Sequence, residues 1–162
     1  IRTIKFKYVK ILTFVLFFSI YIISHVNKLS NQPQIGFHSI ENWNGKKIRW
    51  TRHEANQTVD KTGQFLQFET AVFPYNIPKN GLELKILINN ELFEKAIYYN
   101  AGWRKHLFYL PFEDGKINIK LVVSHTFIPY VEGLNSDIRS LGVAVSEFDF
   151  SDNLESESDI GF

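Results

Sequence analysis

The sequence predicts an all-β fold: an antiparallel jelly-roll-type β-sandwich of about eight strands, preceded by one N-terminal transmembrane helix. Three observations carry that prediction. From residue 35 onward the apolar residues recur with period two, and no stretch of 35–150 sustains a helical period. Asn, Asp and Gly pairs punctuate the runs at short intervals, as the turns of an all-β domain require. Ahead of them, Tyr8 through Val26 is a nineteen-residue apolar run broken by one charge, Lys10.

That first run follows the basic flank 1–10, in which Arg2, Lys5, Lys7 and Lys10 stand without an acid. As a helix it spans about 29 Å, enough for the hydrocarbon core, and Lys10 can extend its ammonium toward the headgroups. Phe, Ile and Leu cover every face, which suits lipid better than a one-sided core. The basic flank puts residues 1–10 in the cytoplasm and the remainder on the extracytoplasmic side. "SHVNKLSNQ" offers no small-x-small cleavage site, so 8–26 reads as an uncleaved signal anchor and 27–34 as a linker.

The sandwich is expected over 35–148, with strands near 35–41, 46–54, 64–73, 82–88, 91–99, 103–112, 116–127 and 138–148. The clearest are "LELKILI" (82–88) and "KINIKLVV" (116–123). In each, alternate positions are Leu, Ile or Val and the positions between are largely polar. Asn89-Asn90 and Asp114-Gly115 suit hairpin turns with positive φ, and 55–63 reads as a polar loop. The acidic, apolar-poor segment 149–162 reads as a disordered tail. If the strands alternate in direction, 42–45, 74–81, 100–102 and 128–137 gather at one end, and the turns at 89–90 and 113–115 at the other. A linker of eight residues reaches at most ~28 Å, so the second end should face the membrane and the first should face outward.

Composition excludes several functions. The chain has no cysteine, which rules out disulfides and thiolate metal sites, and a net charge of +1 gives no electrostatic case for nucleic acid. The five histidines (25, 38, 53, 106 and 125) show no metal-ligand spacing, and His53-Glu54 has no nucleophile placed with it by any motif. "DKTG" (60–63) is a polar turn. Asn56-Gln57-Thr58 is a glycosylation sequon that matters only beside the right transferase. No D-x-D-x-D loop supports calcium, so no metal, cofactor or catalytic residue is expected.

The outward loops do carry the chemistry of sugar recognition, in which flat aromatic rings meet C–H faces and polar groups meet hydroxyls. Trp43, Trp103, Tyr75 and Tyr130 are the candidate platforms. Asn42, Asn44, Asn100, Arg104 and Asp137 are the candidate polar contacts. Trp50, inside a strand, is expected to be framework. Arg49, Arg104 and Arg139 fall in or beside strands, where a charge needs a partner, and Glu41, Glu69 and Asp137 are the nearest carboxylates by topology. At least one such pair is expected to be structural, with Arg49, Arg139, Glu41 and Glu69 as ion-pairing residues.

Three runs in order, "GFHSIENWNGKKIRWT", "YYNAGWRKHLFYLP" and "SHTFIPYVEGLNSDIRSLGVAV", resemble an accessory β-sandwich domain of bacterial and archaeal glycan-assembly proteins. The residues carrying the resemblance are Gly36, Phe37, Glu41, Arg49, Trp50 and Thr51 in the first run. They are Gly102, Trp103 and Arg104 in the second. In the third they are Ser124, Phe127, Pro129 and Gly133, then Asp137, Arg139, Leu141, Gly142 and Val143. Such domains occur beside glycosyltransferases and on membrane-anchored chains, and are similar to carbohydrate-binding modules. The resemblance spans 36–145 and implies a non-catalytic sandwich that binds glycan or cell-surface polysaccharide. The alternative is an accessory subunit of a membrane complex, whose helix packs on partner helices while the sandwich caps the assembly.

Overall fold

The computed structural model describes residues 34–111 and 113–153. Ten strands lie among the described residues: β1 (Gln34–Phe37), β2 (Glu41–Trp43), β3 (Lys46–Lys61), β4 (Phe65–Val72), β5 (Leu82–Ile88), β6 (Glu91–Tyr98), β7 (Gly102–Tyr109), β8 (Gly115–Val123), β9 (Ala144–Val145) and β10 (Asp149–Ser151). A single 3₁₀ turn, Pro74–Asn76, follows β4. Every pairing is antiparallel. The expected membrane span 8–26, its flank 1–10, linker residues 27–33 and the tail 154–162 lie outside the described residues. Among the described residues no helix is long and apolar enough to cross a membrane.

Hydrogen bonding builds two sheets that share β3. Its second half, Glu54–Lys61, pairs with β8, which pairs with β5 and then β6, and β1 lies on its other edge. Its first half pairs with β2 on one side and β9 on the other; β9 and β10 run along β4, and β7 closes that sheet. Between the sheets Leu82, Leu84, Ile86 and Ile88 of β5 and Ile119, Leu121 and Val123 of β8 meet Leu66, Phe68 and Val72 of β4, all at most 2% exposed. Each such aliphatic side chain contributes about 2 kcal/mol by leaving water.

A second, separate cluster lies on the other face of the β4 sheet: Ile48, Trp50, Ala71, Phe127, Leu141 and Ala144. Period two explains the division, because Ala71 alternates with the inward Thr70 and Val72. The irregular segment 124–143 covers this outer face, pinned by the Phe127–Leu141 bridge.

Several expectations need correction. The strand expected at 35–41 is two, β1 and β2, because its halves join different sheets. Gly36, at φ 79°, sits at the register shift within the first, between the paired residues Ile35 and Phe37. The polar loop expected at 55–63 is mostly strand: Asn56, Gln57 and Thr58 pair on both edges or bond laterally, Asn56 and Thr58 to the Asn118 amide. Asp114-Gly115 closes no hairpin, since β7 belongs to one sheet and β8 to the other. Of the strand expected at 138–148 only Ala144–Val145 is regular. Asp149–Ser151, expected in a disordered tail, pairs with Phe65–Gln67, and Phe148 and Phe150 pack on the core. Asn89-Asn90 does form a hairpin turn, with φ of 50° and 68°.

Where 124–143 returns to the sheet, Gly142 is wedged against β3. Its N–H donates to the Thr51 carbonyl at 2.6 Å, its own carbonyl accepts from the Asn76 amide, and the next N–H, of Val143, donates to Thr51 Oγ1 at 3.0 Å. A Cβ at Gly142 would collide with Thr51 Oγ1 and lie 2.7 Å from the Arg52 carbonyl oxygen. Gly142→Ala is therefore expected to cost about 2 kcal/mol of stability, read as a lowered denaturation midpoint at unchanged m-value.

Candidate functional site

The hairpin β2–β3 turns through Asn44 and Gly45, both at positive φ (52° and 83°), and the Asn42 side-chain oxygen accepts the Gly45 N–H at 2.9 Å. This turn sets Trp43 opposite Lys46 and Glu41 opposite Ile48, and residues directly opposite share a face. Trp43 thus stands on the outer face of the β4 sheet, stacked on Phe73 at 4.9 Å between centroids. Phe73 in turn meets Trp50 at 5.1 Å, and Trp50 meets Phe127 edge-on at 6.1 Å. These four rings floor a cleft of about 320 Å³ beneath the 127–141 segment.

The cleft's rim is polar. Arg139 Nε lies 3.0 Å from both Asp137 oxygens, Nη2 lies 2.6 Å from Oδ2, and Nη1 lies 2.5 Å from Glu41 Oε1. One guanidinium therefore ties the 128–141 loop to β2. The Asn135 side-chain oxygen accepts the Asp137 N–H and shapes the loop. The Arg139 hydrogen bonds hold the Asp137 carboxyl below its usual range, and Asp137 with Glu41 pushes the guanidinium's own pKa up against a smaller opposing effect of burial. The rim offers carboxylate oxygens, the Asn135 amide and the half-exposed Tyr75 hydroxyl to a ligand.

The structure sorts the residues expected at this end. Trp43, Tyr75 and Asp137 line the cleft. Asn44 and Trp103 lie beside it, where Trp43, Lys46 and Trp103 enclose a notch of about 140 Å³. The two indole rings are 5.9 Å apart, and the Lys46 ammonium sits 4.4 Å over Trp103. Arg104 is not in the site. Strand alternation sends it to the opposite face from Trp103, where it meets Glu94 at 3.0 Å. Asn100 is exposed in the β6–β7 turn, and Tyr130 is exposed on the loop without lining the cleft. Trp50, expected to be framework, is 7% exposed and also forms part of the floor.

The ion-pairing residues also divide. Arg139 and Glu41 meet on the rim. Glu69 pairs with Lys46 and not with an arginine. Arg49 faces Gln57 Oε1 at 2.7 Å and the Phe37 ring at 4.9 Å, in place of the expected carboxylate. Burial lowers its pKa, and the more distant charge of Glu147 offsets this only in part. The reason is the bend in β3, which folds the inward face of Arg49 toward the strand's own second half.

A cluster missed by sequence reasoning lies at the open edge of the sandwich, where β6 faces β7. His106 Nδ1 is 2.8 Å from Glu94 Oε2, and Nε2 is 2.8 Å from Thr70 Oγ1 and 3.2 Å from the Tyr98 hydroxyl. A carboxylate only accepts, so Nδ1–H donates to Glu94 and Nε2 accepts from a hydroxyl. Thr70 and His106 are 0% and 1% exposed, so this acid–imidazole–hydroxyl series is sealed from substrate and links the two sheets instead. Its parts come from β4, β6 and β7, and no motif spacing announces them. Among the described residues no group of three His, Asp or Glu side chains gathers to hold a metal ion.

No family model and no curated protein matches the chain. Some solved structures are similar in fold. A family 35 carbohydrate-binding module from Clostridium thermocellum is 8% identical, over 74% of this chain and 91% of that one, with a TM-score of 0.43. A family 35 module from an environmental isolate is 11% identical, over 74% and 94%, with a TM-score of 0.38. The secreted serine protease VesC from Vibrio cholerae is 14% identical, over 78% of this chain and 26% of that one, with a TM-score of 0.40.

The His106 cluster generates a pH prediction. Burial pushes the imidazole below its ordinary 6.5, against a smaller upward pull from Glu94. Between the folded and unfolded values the unfolded chain binds more protons. Stability is therefore whole above about pH 6.5 and falls by up to ~1.4 kcal/mol per unit as pH drops through that window. Urea unfolding at pH 7 and pH 5 should show a larger loss for the wild type than for His106→Gln, whatever the variant's starting stability.

Proposed function

We propose that this chain is a non-catalytic glycan-binding module, anchored in a membrane by residues 8–26 and carrying its sandwich on the extracytoplasmic side. The observation that carries the binding assignment is the cleft itself. Trp43, Phe73, Trp50 and Phe127 floor it, while the Glu41–Arg139–Asp137 pairs and Asn135 border it. A sugar needs both parts: an apolar ring to lie on, and fixed polar groups whose hydrogen bonds orient it. The ion pairs hold the rim's carboxylates in place before a ligand arrives, which lowers the ordering cost of binding. The likeness of the three sequence runs to glycan-assembly accessory domains supports the same reading, and the basic flank before the apolar run supports the anchor and its direction.

A second reading, an accessory subunit whose sandwich caps a membrane complex, is favoured by a different observation. Around the cleft, Tyr130, Val131 and Ile138 are 64%, 71% and 75% exposed, a surface that protein could cover.

The test is a glycan array probed with the full chain in mild detergent. The first reading expects a defined glycan signal that Trp43→Ala weakens by about tenfold while the variant keeps the wild-type circular dichroism of the folded sheets. A stoichiometric co-purifying subunit with no glycan signal would replace it with the second.

A further inference from the structure

The cleft is not an isolated depression. Directly opposed pairs place Trp50, Ala144, Ala71 and Trp103 in one row across four strands of the outer face. Trp50, Ala144 and Ala71 are buried beneath the neighbouring rings, while Trp103, at the far end of the row, is 41% exposed and presents its ring to solvent. Beside this row run Glu69 and Lys105, opposed to one another, with the Ser146 hydroxyl accepting the Glu69 N–H. There the surface opens into a polar groove of about 460 Å³, larger than the cleft itself, bordered by Lys47, Glu69, Lys105, Glu147 and Asp149. The notch between Trp43 and Trp103 connects the two, sharing Trp43 with the cleft and Lys46 with the groove.

We infer that the site takes an extended glycan chain, bound along its length over the outer face of the β4 sheet, and not a chain end or a single sugar held in the cleft alone. This rests on the glycan reading above and adds the form of the ligand. A linear glycan presents C–H faces and hydroxyls at every residue, so it gains from a path that offers rings and polar side chains in succession. The cleft supplies the first platform, Trp103 the second, and the groove supplies ammonium and carboxylate groups of both signs. That balance fits hydroxyl-rich, neutral sugars better than a uniformly charged polymer. Lys46 bridges the parts: paired to Glu69 and resting on Trp103, it can swing aside on its four-carbon stem when a sugar takes the ring face.

The probe is an array of β-1,4-linked glucose, xylose, mannose and N-acetylglucosamine oligosaccharides, from disaccharide to octasaccharide, applied to the full chain in detergent. The readout is the ratio of octasaccharide to disaccharide affinity within the series that binds. The wild type is expected to show a ratio of about tenfold or more, from one added aromatic platform and several polar contacts. Trp103→Ala and Lys105→Ala should each reduce that ratio severalfold, whereas Trp43→Ala weakens all lengths together. If Trp103→Ala fails to fold, Lys105→Ala carries the test, since its side chain lies on the surface. A wild-type ratio near one, or a ratio retained in both outer variants, overturns the extended path and leaves the cleft as a glycan site. No binding at any length overturns the glycan reading itself.

Discussion

A sixteen-residue strand that hydrogen-bonds in two sheets has to bend between them, and in β3 the bend falls between Trp50, the last residue paired to β9, and Glu54, the first paired to β8. Most other features follow from that shared strand. The two sheets can face each other only because β3 supplies an edge to each. Its first half, leaning away from the main core, turns Ile48 and Trp50 outward, and an exposed indole beside an isoleucine must be covered. The 124–143 segment covers it incompletely, and the uncovered remainder is the cleft.

The parts of this fold legible in the sequence are those where one face is apolar and the other is not. Strands β5 and β8 read correctly because Leu82–Ile88 and Ile117–Val123 alternate cleanly. Period two fails for β3 beyond Glu54, since Asn56 and Thr58 face a lateral amide and Gln57 an internal guanidinium. Their polarity is satisfied inside the sheet and resembles a loop's. It fails again at 138–148, where Leu141–Val145 are all buried, Leu141 and Ala144 in the outer cluster and Val143 and Val145 in the main core, so no polar residue marks either face. The site was half legible for the same reason. Turn residues announced the hairpin bearing Trp43, and ordinary alternation separates Trp103 from Arg104. That Trp50 floors a cleft could not be read, because one sequence does not distinguish the inner face of a sheet from an outer face covered by loop.

Two polar groups in this molecule meet the same cost of leaving water in opposite ways. His106 is sealed between two sheets, so its charged form is penalised and it serves as a neutral relay between a carboxylate and two hydroxyls. Arg139 keeps about a third of its side chain in solvent and is met by two carboxylates, so its charge is retained. The first arrangement joins β6 of one sheet to β4 and β7 of the other beside the Phe93–Phe108 contact. The second ties a loop that is already hydrogen-bonded within itself, as by Tyr130 N–H to the Asp137 carbonyl, to β2 across the cleft.

β2 is three residues long, and its first and last residues, Glu41 and Trp43, lie on one face about 7 Å apart by strand geometry alone. The charge that anchors the rim and the ring that forms the platform therefore stand on one short, inflexible piece of backbone. Side chains on the loop opposite can be exchanged without altering that interval. Descendants of this chain can reshape the cleft by altering Tyr75, Leu134 or Asn135, which line it, but the stride between charge and ring is inherited with the fold.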